Sequence, residues 1–106
     1  MAKFMVKASY TTEGARGLLK EGGKGRRAAI QKVVEGLGGK LETFYFAYGD
    51  VDAYVIADFP DASAALAVSL TIGASGAVRL STVPLITAEE IDEARKKTVA
   101  YRAPGA

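Results

Sequence analysis

The chain has 106 residues, a formal net charge of +2, 49% hydrophobic and 25% charged residues, and neither Cys nor His. That length suits one domain, and the composition is that of an ordinary globule rather than a disordered or membrane-spanning chain. Without Cys or His the chain cannot build disulfide scaffolds, zinc ribbons, iron–sulfur clusters, thiol catalysis or triads of the Ser-His-Asp type.

From the amino terminus, Phe4, Val6, Ala8 and Tyr10 alternate with Lys3, Met5, Lys7 and Ser9, which predicts a first strand over 3–10. A helical region starts at Thr12 and meets Gly22, Gly23 and Gly25, which predict a break or kink. Beyond it Ile30, Val33, Val34 and Leu37 form one apolar helical stripe, ended by Gly38 and Gly39. A second strand over 40–48 and a third over 52–59 are joined at the Gly49-Asp50 turn signal.

Pro60 and Asp61 then open a second helix, with Asp61 as its cap. Ala62, Ala65, Leu66, Ser69, Leu70 and Gly73 are expected to form its packed, small-residue face. Gly73 to Gly76 closes it, and a fourth strand over 77–83 ends near Pro84. Thr87-Ala88-Glu89-Glu90 has the form of a capping box, which predicts a short helix over 88–97 followed by a loose tail or an arm on a neighbour.

The resulting order is the split βαβ, a ferredoxin-like α+β βαββαβ arrangement: a four-stranded antiparallel sheet, helices on one face and an extra C-terminal helix. In strand two Leu41, Thr43, Tyr45 and Ala47 are expected to oppose Glu42, Phe44, Phe46 and Tyr48. In strand three Ala53, Val55, Ala57 and Phe59 oppose Asp52, Tyr54, Ile56 and Asp58. Both faces therefore carry apolar or aromatic groups while one helical layer covers a single face, so a second subunit is expected against the other.

Charge is segregated along the chain. Residues 1–40 hold nine Lys/Arg and three Asp/Glu, residues 41–94 one and nine, and residues 95–106 four and none. That pattern suits either a contact between subunits or separate solvated faces. No targeting or spanning segment is legible, which makes the cytoplasm the default expectation, with no membrane or nucleic-acid partner.

These segments resemble the GYD domain family. The resemblance runs through Thr12-Glu13-Gly14-Ala15-Arg16, Leu37-Gly38-Gly39-Lys40-Leu41, Phe44-Tyr45, Gly49 before Asp52, Gly76-Ala77-Val78-Arg79 and Thr87-Ala88-Glu89-Glu90. It covers about residues 4–92 and implies a ferredoxin-like fold related to dimeric α/β barrels. Val51 stands where the Tyr of the family's name would precede Asp52, so that hydroxyl is missing unless Tyr48 or Tyr54 replaces it.

The polar groups left for function are carboxylate, phenol and guanidinium. Asp50, Asp52 and Asp58 lack the spacing of a calcium loop, so no metal site is expected. Asp50 suits the turn. Asp52 is the candidate catalytic base, its alternative being a salt bridge or a backbone hydrogen bond. Tyr10, Tyr45 and Tyr54 are either core and interface residues or ligand contacts, and Tyr10 with Arg16 can flank a cleft between sheet and helix. Arg79 needs a carboxylate or an anion, with Asp52 or Glu42 as candidate partners. Gly22-Gly23-Lys24-Gly25-Arg26-Arg27 fails the phosphate-loop and dinucleotide patterns and reads as a solvated basic turn.

The expectation is thus an oligomeric module binding a small ligand between sheet and helices, lined by Tyr10, Arg16, Tyr45, Asp52, Tyr54 and Arg79, with no cofactor implied. Kinship with dimeric α/β barrels supplies a rival, a cofactor-independent oxygenase or isomerase with Asp52 as base. A third reading is assembly without a ligand.

Overall fold

The computed structural model describes residues 1–106. The elements run β1 (Ala2–Tyr10), α1 (Thr12–Glu21), α2 (Gly23–Gly36), β2 (Lys40–Phe46), β3 (Ala53–Phe59), α3 (Ala62–Ala74), β4 (Val78–Leu85) and α4 (Ala88–Ala94). All neighbours in the single sheet are antiparallel, in the order β2-β3-β1-β4. This is the expected α+β arrangement, with the ferredoxin-like strand order.

Local chemistry explains most boundaries. Thr11 caps α1 by accepting from the Gly14 N–H, and Asp61 caps α3 by accepting from the Ala64 N–H at 2.9 Å. The expected box at Thr87 is complete: its hydroxyl accepts from the Glu90 N–H while the Glu90 carboxylate accepts from the Thr87 N–H. Gly22, with φ of +81°, is the break between α1 and α2, a conformation that a side chain at this position would strain. Gly14 serves a close approach instead, because a Cβ there would run into the Ala77 carbonyl oxygen.

The helical layer of α2 and α3 lies on one face of the sheet. Phe4, Val34, Ala57, Phe59, Ala65 and Val68 form the main core cluster, with Phe4 and Phe59 edge to face at 6.0 Å between ring centres. A smaller cluster of Ala8, Ala53 and Val78 continues it toward the other end of the sheet.

Five expectations are corrected. First, the alternation in β2 breaks at a bulge: Leu41 pairs with Ala57 but Thr43 with Ile56, so Glu42 is an extra residue. Phe44 and Phe46 consequently share the helix-covered face with Leu41, while Thr43 and Tyr45 lie on the open face. Second, β2 stops at Phe46, and a six-residue connection closed by the Ala47 N–H on the Asp52 carbonyl replaces the tight hairpin.

Third, α3 turns Ala65, Val68 and Ile72 inward and leaves Leu66 and Leu70 exposed. The helix is apolar nearly all round, so periodicity could not select the face. Fourth, β4 continues through Pro84, which an edge strand tolerates because its missing N–H deprives no neighbour. Fifth, Lys24–Arg27 belong to the first turns of α2 rather than to a loop, and Val33 and Leu37 of the expected stripe remain exposed.

Candidate functional site

The geometry that can hold a small molecule lies between the sheet and its helices. A cavity of about 50 Å³ is enclosed by Val55 and Phe44 from the sheet, Ile30 and Val34 from α2, and Val68 and Ile72 from α3. Tyr10 and Arg26 also line it, and Arg26 is its one charged residue. Both belong as well to a wider cleft of about 430 Å³ between α1 and α3, where Glu13, Glu21, Thr71 and Ser75 face them. The two spaces adjoin at Tyr10, Arg26, Ile72 and Val78, which line both, so that an apolar interior meets a more polar mouth. Such a pairing is the usual make-up of a small-molecule site.

Each group at the mouth has a local cause. Tyr10 ends β1 with its side chain on the helix-covered face, the same parity as Phe4, Val6 and Ala8. Burial pushes its phenol above the ordinary value near 10, the nearby Arg26 guanidinium working the other way and the Asp52 and Glu21 carboxylates adding to the rise. The phenol is thus held protonated at neutral pH and is a hydrogen-bond donor, not a base. Arg26 projects from the first turns of α2, partly buried, and no carboxylate approaches within ion-pair distance of it. By contrast Lys3 holds both Glu42 at 2.8 Å and Asp58 at 3.1 Å. Those hydrogen bonds, to Glu42 first and then Asp58, raise its ammonium above 10.5.

The six residues singled out in the sequence are not brought together. Tyr10 is at the cavity mouth. Asp52 lies beside it but faces the backbone, its Oδ2 accepting from the Tyr10 N–H at 2.8 Å while its own N–H donates to the Ala8 carbonyl at 2.9 Å. It lines neither the cavity nor the cleft.

Arg16 is exposed on α1, outside both spaces. Tyr45 and Tyr54 face each other across β2 and β3 on the open side of the sheet. Arg79 sits on that same side, opposite Ser9, over a shallow groove shared with Lys7 and Ser81. It pairs with neither of its expected partners, since Glu42 is held by Lys3 and Asp52 by Tyr10. Asp50 is exposed in the β2–β3 connection, where its carbonyl rather than its carboxylate is engaged, accepting from the Ser9 hydroxyl of β1 at 2.9 Å.

Arg26 is the residue that sequence reasoning missed. Its signal was present: it stands four residues before Ile30 and eight before Val34, on the stripe that faces the sheet.

A family model described as GYD domain matches residues 4–94. The chain belongs to the GYD domain family. The match takes in the sheet, α1 to α3 and all of α4, and so includes every residue of the cavity and cleft. Comparison with curated proteins finds no match, and comparison with solved structures finds none. No helix of this GYD protein is long and apolar enough to cross a membrane.

Proposed function

We propose that this GYD protein is an oligomeric module that binds a small, largely apolar molecule between its sheet and helices, with a second copy of the chain over the open sheet face. The observation that carries the reading is the apolar cavity of about 50 Å³ that adjoins the wider cleft at Tyr10 and Arg26. An apolar cavity of this kind offers too few polar partners to retain water well, so an apolar guest gains both dispersion contacts and relief from water.

Support for the second copy comes from the opposite face. Met5, Ile56 and Val83 line up there across three strands, with Tyr45 beside them 69% exposed and Tyr54 41% exposed. An apolar centre edged by Lys3, Glu42, Asp58, Lys7 and Arg79 has the make-up of an interface core with a charged rim. In this reading Tyr10 contacts the ligand, Tyr45 and Tyr54 contact the second copy, and Asp52 holds the frame.

Native mass spectrometry of freshly purified protein reads both parts at once. The expected result is an assembly of two or more 11.1 kDa chains carrying additional mass that denaturation releases. A bare single chain, with no compound of a small-metabolite panel raising its melting temperature, would refute the reading.

A further inference from the structure

The cavity and its mouth also carry information about the guest. Resting on the ligand-binding reading above, we propose that the ligand is a short-chain aliphatic monocarboxylate, its chain inside the cavity and its carboxylate between the Arg26 guanidinium and the Tyr10 hydroxyl.

Size sets the chain. A cavity of about 150 Å³ takes the six carbons of a benzene ring, and this one has about a third of that space, which suits an aliphatic tail of roughly two or three carbons. Branched walls from Val34, Val55, Val68 and Ile72 leave no hydrogen-bond partner for a polar group at the inner end.

Charge sets the head. Arg26 is partly buried, has the neutral Tyr10 hydroxyl beside it and no carboxylate within ion-pair distance, and is the one charged group of the cavity lining. A guanidinium so placed has lost part of its hydration without gaining a counter-ion, and its planar fork fits a carboxylate in two parallel hydrogen bonds. The Tyr10 phenol lines the same mouth and supplies a further donor. Glu13 and Glu21 line the same cleft as Arg26, and the Glu21 and Asp52 carboxylates already act on Tyr10. They oppose every added negative charge, and one guanidinium offsets a single charge, which favours a monoanion over a phosphate ester or a dicarboxylate.

The test compares butyrate with its neutral isostere butyramide by amide chemical-shift titration, using inorganic phosphate as a third probe. Butyrate is expected to shift the amides of Val34, Val55 and Ile72 and to bind about ten to a hundred times more tightly than butyramide. Arg26→Met keeps the aliphatic stem and should abolish that preference while butyramide binding persists. Arg26→Lys, which keeps the charge without the fork, should retain part of it, and an unchanged spectrum elsewhere shows that each variant is folded. Equal binding of butyrate and butyramide, or an undiminished preference in Arg26→Met, would overturn the carboxylate assignment and leave cavity binding standing. Phosphate acting as strongly as butyrate would also overturn it. Absence of any response to butyrate and butyramide alike would bring down the chain and head assignments together, and with no bound mass in the native protein the binding reading as well.

Discussion

One carboxylate oxygen of Asp52 ties the end of β1 to the start of β3, because it accepts the Tyr10 N–H that the sheet ladder leaves unpaired there. Its backbone N–H and carbonyl are also engaged, by Ala8 and by Ala47. A group so committed is a positioning element for Tyr10 and hence for the cavity mouth. Asp52→Ala is therefore expected to destabilise the fold by about 1–3 kcal/mol in urea denaturation, and Asp52→Asn, which keeps an acceptor oxygen, by clearly less. Equal losses in the two variants would remove the hydrogen bond as the cause. The sequence showed Asp52 to be poised at a strand start and left open whether it held backbone or ligand. That choice depended on where Tyr10 of a strand some forty residues away would place its N–H. Arg26 was the opposite case, with its spacing to Ile30 and Val34 legible but masked by the glycines around it, which resemble a loop.

At the level of elements, the bulge at Glu42 decides which aromatics of β2 take the helix-covered face. Strict alternation would place Leu41 on one side and Phe44 and Phe46 on the other; one extra residue brings all three under α2 and α3. Phe44 and Phe46 then meet edge to face at 5.0 Å, and the Phe46 ring lies within contact of Gly23 at the start of α2. Deleting Glu42 should consequently be tolerated, since Leu41, Thr43 and Phe44 would then alternate in the same register. The deletion forfeits an exposed ion pair with Lys3, which is worth about 0–1 kcal/mol. Deleting Tyr45 should instead turn Phe46, 41% exposed in the intact chain, to the open face and away from Phe44 and Gly23, and lower the melting temperature clearly more. Thermal melts followed by circular dichroism distinguish the two, and the prediction fails if they behave alike. α3 shows the same dependence on context: its cap at Asp61 was readable, whereas its buried side was chosen by the sheet, which accepted Val68 and Ile72 and left Leu66 and Leu70 outside.

The whole molecule is extended, 55 × 34 × 22 Å with a radius of gyration of 16.9 Å, against about 13 Å for a compact chain of this length. The excess comes from the C-terminal segment, since every residue from 86 to 106 is exposed, including Ile91, Val99 and Tyr101. A segment with no buried residue contributes little to stability. Removing residues 88–106 should therefore shift the melting temperature by no more than about 2 °C, as measured by differential scanning calorimetry. A larger loss would mean that the segment is packed in solution, against its own body or against a second copy.

Along the sequence itself lay the order of strands and helices, the caps at Asp61 and Thr87, the break at Gly22 and the chemistries ruled out by the absence of Cys and His. All of these are set within a few residues, by backbone conformation, hydrogen-bond donors and acceptors, or the lack of a functional group. The side of the sheet taken by Phe44 and Phe46, the buried face of α3 and the meeting of Tyr10 with Arg26 were decided only by tertiary structure. Each follows from the register and packing of elements remote in the chain, which local pattern does not contain.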